Sequence, residues 1–299
     1  MKGHGKGSAR RAPIGARGAA RWGALAFAGV LLCGSTPLWA QPPRGNRAGA
    51  AAAPPSAREQ APWDPSGYWV SLITQNWRTR MVVVGPGDYI GVPINAAAKK
   101  VADAWNAASV AAAEAAGKAC EAYGGAIIMW LPERVHISWQ DANELRVDTD
   151  AGMQTRLLHF VSGRGGARGG TPAAGPSRSP PDMPPSLQGY SVARWVLPGG
   201  GQRFGPAGGA PHSHYGSLQV TTDDMLPGLL RKNGIPYGAD ARKTEWWDLR
   251  MESTGEQWLS ISTTVTDPQY LTRPYVYDPI FQKEADGAKW DPTPCSLTS

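Results

Sequence analysis

A mainly β fold is predicted: an antiparallel meander of about ten strands forming a barrel-like or curled sandwich domain, with one main helix near 95–116. Three observations predict it. Segments rich in aromatic and β-branched residues recur between short turns, which suits a pleated, half-buried surface. Three of the turns, Asp141-Ala142-Asn143, Asp150-Ala151-Gly152 and Ser253-Thr254-Gly255, have the length and composition of favoured hairpin loops. The registers these turns impose set apolar residues against apolar ones, where a wrong register would scramble the faces.

In chain order, residues 41–61 are Ala, Pro, Arg and Gly with little to bury, and they read as a disordered leash. Order is expected from Trp63-Asp64-Pro65. Tyr68 to Thr74 and Trp77 to Val84 read as strands. Asn95 has a helix-capping side chain, and Val101, Trp105, Ala108 and Ala112 follow at helical spacing, with Gly117 as the stop. Val135–Gln140 and Glu144–Thr149 form the first hairpin. Its register puts Trp139/Leu145 and Ile137/Val147 on one face, and Ser138/Arg146 and His136/Asp148 on the other. The second turn leads into Met153–Phe160 and sets Leu145 beside Leu157.

Residues 163–186 and 198–212 are rich in Gly and Pro and read as flexible excursions within one domain, 62–299. Strands resume at Tyr190–Val196, Ser217–Thr222, Lys243–Met251, Gln257–Val265 and Tyr277–Lys283. In the third hairpin Trp247/Ile261 and Leu249/Leu259 share one face. Trp246/Ser262, Asp248/Ser260 and Arg250/Trp258 share the other.

The first 40 residues carry Lys2, Lys6, Arg10, Arg11, Arg17 and Arg21, no acidic residue, and an apolar run from Trp22 to Cys33. They read as a cleavable signal peptide, with a plausible cut after Leu38-Trp39-Ala40. The run is shorter than the roughly 20 residues that span a bilayer, so no transmembrane segment is expected after cleavage; a retained anchor and lipid attachment at Cys33 are the alternatives. The leader accounts for the whole net charge of +6, and removing it leaves 24 of the 30 basic residues against 24 acidic ones. A neutral chain gives no electrostatic reason to bind nucleic acid. Export to the periplasm or outside the cell is the expectation. There, Cys120 and Cys295 would remain as the only thiols, read most simply as one disulfide worth about 4–5 kcal/mol by the chain-entropy model.

Candidate chemistry is sparse. His136 faces Asp148 in the first hairpin, with Ser138 on the same face, which invites a hydrolase reading. A structural pair is favoured, because Ser138 and His136 share one strand about 7 Å apart and no nucleophile elbow is present. Enzymatic activity is therefore left open, leaning against. His212, His214, His136 and His159 could together attract a transition metal, but no recognisable ligand spacing completes them, and the predicted register puts His159 opposite His136. No cofactor or metal site is expected. Eleven of the 13 tryptophans lie beyond the leader. Trp246 and Trp258, among Asp248, Arg250 and Ser260, suit a ligand pocket with apolar walls and a few orienting polar groups, or equally a second core layer.

Gly67-Tyr68-Trp69 resembles the Gly-x-Trp that opens the first strand of lipocalin-type barrels, where the Trp plugs one end. Several longer blocks resemble an uncharacterised family of exported bacterial proteins: 131–141, 149–156, Arg231-Lys232-Asn233-Gly234-Ile235-Pro236-Tyr237, Asp267–Thr272 and Trp290–Cys295. The resemblance covers most of 62–296. It implies one exported domain and no particular activity. The leading functional expectation is a small, partly apolar ligand in a Trp-lined barrel cavity built from Trp69, Trp246, Asp248, Arg250, Trp258 and Ser260. The alternatives are a non-catalytic envelope component that binds a protein partner and, third, a hydrolase using His136 and Asp148.

Overall fold

The computed structural model describes residues 54–161, 183–197 and 215–298. Twelve strands are present among them: β1 (Gly67–Leu72), β2 (Arg134–Trp139), β3 (Glu144–Thr149), β4 (Thr155–Phe160), β5 (Tyr190–Val196), β6 (Ser217–Asp223), β7 (Gly228–Arg231), β8 (Ile235–Tyr237), β9 (Arg242–Met251), β10 (Gln257–Thr266), β11 (Tyr275–Tyr277) and β12 (Ile280–Lys283). Nine of them close a barrel in the order β10-β12-β1-β2-β3-β4-β5-β6-β9, with β9 pairing back onto β10. β11 extends the β12 edge of β10, and β7 and β8 form a separate hairpin.

The mainly β, barrel-like architecture is as expected. One pair departs from an antiparallel meander: β4 and β5 run parallel. A parallel neighbour requires a long crossover rather than a tight turn, and the Gly/Pro-rich stretch between Phe160 and Tyr190 provides the length. Of that stretch, Val161 and 183–189 are described, where Ser186 bridges to Met225; 198–212 lies outside the described residues, as do His212 and His214.

Two hairpin registers match the expectation pair for pair, including Trp139↔Leu145, His136↔Asp148, Trp247↔Ile261 and Arg250↔Trp258. The middle one does not. Leu145 lies opposite Leu158, not Leu157, and Val147 lies opposite Arg156. Gly152 and Met153 both adopt positive φ (72° and 51°), so the turn is one residue longer than the sequence suggested. Gly152 is required there, because a Cβ would sit 2.4 Å from the Tyr123 ring. A one-residue slip exchanges the two faces of a strand. Leu158 and Arg156 therefore point inward, and His159 shares the outer face with His136.

Three other expectations need correction. The strand expected at Trp77 to Val84 is instead a short helix, α1 (Trp77–Met81), held by Arg80, whose Nε donates to the Trp130 carbonyl at 2.8 Å. The single helix near 95–116 is two, α2 (Ala96–Asp103) and α3 (Ala107–Ala115). Asn106 caps the second by accepting from the Ala108 and Ser109 N–H groups, and Trp105 at the break donates to the Lys232 carbonyl. The proposed leash is ordered at its end: Ala57 is buried, its N–H donates to Asn143, and its carbonyl accepts from the Trp195 indole. Short side chains there let the backbone itself dock against the barrel.

Cys120 and Cys295 form a disulfide that joins the 119–123 turn to the C-terminal strap. The strap is further fixed by Thr293 N–H to Asp150 O and Leu297 N–H to Glu114, and Leu297 itself is buried.

Candidate functional site

The barrel interior divides along its axis. One half is packed with apolar side chains, among them Trp69, Trp247, Phe281, Leu145 and Ile137, all fully buried. The Trp69 indole donates to the Pro65 carbonyl, so its one polar atom is satisfied. The other half carries charge. Arg156 from β4, with 1% of its surface exposed, and Lys243 and Glu245 from β9, with none, point into it. Thr222, Ser191 and Thr263 from β6, β5 and β10 continue the polar layer.

Arg156 makes two bonds to Glu245, Nη1 to Oε1 at 3.3 Å and Nη2 to Oε2 at 2.7 Å, the fork geometry a guanidinium offers a carboxylate. Lys243 Nζ lies 3.1 Å from Glu245 Oε1 but off the hydrogen-bonding direction. Glu133 precedes β2 and keeps its inward phase with Val135 and Ile137. Its carboxyl group is buried, and neither oxygen has a hydrogen-bond partner in the protein. Arg156 Nε is likewise buried without an acceptor.

The electrostatics follow from this placement. Burial raises the Glu133 carboxyl well above its ordinary range, and Asp150 nearby adds to the rise. Burial pushes the Lys243 ammonium down to about 7, with Arg156 adding to the fall and Glu245 opposing it. Burial alone would raise Glu245, but Arg156 and Lys243 outweigh it and hold the carboxyl below its usual range. At the rim, burial lowers Arg80 to about 10; its guanidinium lies 4.2 Å from the Trp130 ring centroid and donates to Ser71.

A linkage consequence can be measured. The native state releases the Lys243 proton near 7 and the unfolded chain only near 10.5. Between these values the unfolded state binds more protons, so the lysine's contribution to stability rises with pH, by up to about 1.4 kcal/mol per pH unit, and is lost as pH falls through the native value. The stability difference between wild type and Lys243→Met should change with this slope across the window in urea titrations. A pH-independent difference would refute the lowered lysine.

The segment 119–130 lies over the charged end. Tyr277 of β11 donates to the Ala126 carbonyl at 2.6 Å, Gly125 N–H donates to Leu187 O, and Gln188 donates to Tyr123 O. An open groove of about 590 Å3 lies between α2 and Gln269-Tyr270, without buried charge.

The six residues expected to line one cavity are divided by the barrel wall. Trp69 is inside. Trp246, Asp248 and Arg250 alternate with the inward Lys243, Glu245, Trp247 and Leu249, and so lie on the outer face together with their partners Trp258 and Ser260. They cannot line the interior. His136 and Asp148 are cross-strand neighbours as expected, yet Asp148 is bound by Arg146 and Thr155, while His136 stacks on Tyr68 at 4.2 Å beside Trp290. No hydrogen bond joins Ser138, His136 and Asp148 among the described residues. His159 contacts Glu144 at 2.6 Å, and no group of three or more His, Cys, Asp or Glu side chains among the described residues is placed to hold a metal.

Sequence reasoning missed all four buried charged residues at the heart of the site. For Lys243 and Glu245 the signal was present: extending the Trp247/Ile261 register by two and four residues places both inward. Comparison with protein-family models, curated proteins and solved structures gave no match to this chain.

Proposed function

We propose that this protein is an exported binding module that takes a small, partly apolar molecule at the charged end of its barrel. The observation that supports the reading best is the set of buried Arg156, Lys243, Glu245 and Glu133, whose polar atoms are only partly satisfied by one another. Burying ion pairs in a core often costs stability relative to apolar residues of the same volume. A barrel that had only to fold would be better filled with the Leu, Val and Trp that occupy its other half. Convergent polar groups next to apolar walls are what a small-molecule site needs for orientation and burial. The disulfide, and the absence of a membrane-crossing helix among the described residues, are compatible with an exported protein.

A contact surface for another envelope component is the second reading. It is favoured by the stretch after β1, where Trp77, Met81, Val82, Val83 and Ile90 are all exposed. Titration of intrinsic tryptophan fluorescence with alkyl alcohols, acids, amines and aromatic metabolites tests the binding function. A saturable change with at least one of them is expected, and a spectrum unchanged across the panel removes it.

A further inference from the structure

We propose that the charged end of the barrel takes an oxyanion of the carboxylate type, held by the Lys243 ammonium and the Arg156 Nε–H, an assignment that rests on the binding function above. Charge points to it first. Arg156, Lys243 and Arg80 bring three cationic side chains to this end, and Glu245, whose carboxyl is held below its usual range, is already engaged by Arg156 and lies against Lys243; Asp150 nearby is taken up by the Arg134 and Ala151 N–H groups. A cationic ligand would meet those three groups, with the Glu133 carboxyl, which burial biases toward its neutral form, as the only unpartnered acid among the cluster's described side chains.

The donor inventory points the same way. The two terminal guanidinium nitrogens of Arg156 are spent on Glu245, while its Nε has no acceptor. An ammonium has three donors and no acceptor, and Lys243, whose one close neighbour is Glu245 Oε1 at 3.1 Å and off the hydrogen-bonding direction, keeps donors for a ligand. Arg80, by contrast, is used: it donates to the Trp130 and Leu72 carbonyls and to Ser71. Neither Arg156 Nε nor Lys243 is met by the Glu133 carboxyl, whose two oxygens make no hydrogen bond, and a carboxylate ligand supplies about four lone-pair sites in one plane.

Glu133 is the obvious objection, because an ionised carboxylate there would repel the ligand. Burial without a hydrogen-bond partner, reinforced by Asp150 nearby, biases this carboxyl toward its neutral form against the opposing pull of Arg156, Arg80 and Lys243. The neutral acid then presents an O–H donor to the ligand. An acid paired with a carboxylate through one proton is the same arrangement that lets two carboxyl groups share a site.

Lys243 is faced by Arg156 from β4, by Glu133 from the segment before β2 and by Glu245 from its own strand, while Glu245 also faces Tyr277 of β11 and Glu133 also faces Asp150 after β3, Arg156 and Arg80 of α1. As pH rises through about 7, Lys243 loses its charge. That loss weakens a carboxylate complex, so binding and proton uptake are coupled.

The test uses the full chain and four probes of defined chemistry: octanoate, octanol, octylamine and acetate, titrated calorimetrically at constant ionic strength. Octanoate should bind at least about tenfold more tightly than octanol or octylamine, and about tenfold more tightly near pH 6 than near pH 8.5. Lys243→Met, which leaves the Arg156–Glu245 pair intact, should keep octanol binding and lose the preference for octanoate. Acetate binding with the same pH dependence would identify the ligand as a small free acid; octanoate binding without acetate would identify a lipid-like one. Equal affinities for octanoate and octanol, or a preference that does not weaken with pH, overturn the carboxylate assignment and leave the binding function standing. Binding of none of the four overturns both. Should the lysine variant fail to fold, the wild-type pH dependence decides alone.

Discussion

Replacing Arg156 with methionine is expected to lower stability by about 3–5 kcal/mol, the usual cost of leaving a buried charge without its partner. Glu245 has no exposed surface, and its two strongest bonds come from that guanidinium. Lys243, at 3.1 Å and misaligned, is a poor substitute. A different result is expected when the whole ion-paired set is exchanged. A triple variant with Arg156→Met, Lys243→Met and Glu245→Leu removes all three paired charges and leaves Glu133 as a buried carboxyl biased toward its neutral form, and such exchanges are neutral or stabilising by about 1–4 kcal/mol when the volumes match. Thermal and urea denaturation of the single and triple variants should therefore diverge in sign or nearly so. If the triple variant is as damaged as Arg156→Met, the charges are a structural requirement of this barrel. Retention of the charges for a ligand is then contradicted.

Removing the Cys120–Cys295 disulfide is the other large effect expected. The bond spans 175 residues, and the chain-entropy model assigns such a loop about 5 kcal/mol of denatured-state restriction. The double variant Cys120→Ala/Cys295→Ala should lose most of that in denaturant titrations. Its local effect should be concentrated where the bond acts. The strap depends otherwise on a few contacts, chiefly Thr293 with Asp150, Ser296 with Tyr123, and Leu297 with Glu114. Hydrogen exchange should quicken in 119–130 and 291–298 well before the β9–β10 hairpin, which pairs over ten residues on each strand. Uniform acceleration would show that the strap is no separate unit.

The fold was legible where a turn fixes a register. Asp141-Ala142-Asn143 and Ser253-Thr254-Gly255 did so, and the predicted cross-strand pairs are the observed ones. Legibility failed at Asp150-Ala151-Gly152, because nothing in its composition shows that Met153 would also turn left-handed. That one residue reverses β4, and it hid Arg156 by assigning it to the solvent face. The helix break was obscured by a run of alanines that would continue happily; what interrupts it is tertiary, Trp105 reaching Lys232 across the fold. β7 and β8 are short and contain Pro236, so they carry no alternating pattern to read.

The site was harder to read than the fold for a related reason. Rings among polar groups drew attention to Trp246 and Trp258, yet on a barrel strand the neighbour of an outward residue is inward. The hairpin that placed those rings outside places Glu245 and Lys243 inside. The expectation of a binding barrel survives as a proposal with its residues changed from the outer face to the interior.

The location of that site can be measured directly. Trp247 is buried inside the barrel on the same strand as Lys243 and Glu245, and Trp246 is its outward neighbour. Fluorescence titrations of Trp247→Phe and Trp246→Phe with octanoate separate the two faces. An interior site predicts that the ligand-dependent change is lost or sharply reduced in Trp247→Phe and kept in Trp246→Phe, at unchanged affinity for the latter. Loss of the signal in Trp246→Phe with an intact response from Trp247→Phe would place the ligand on the outer face and contradict the account.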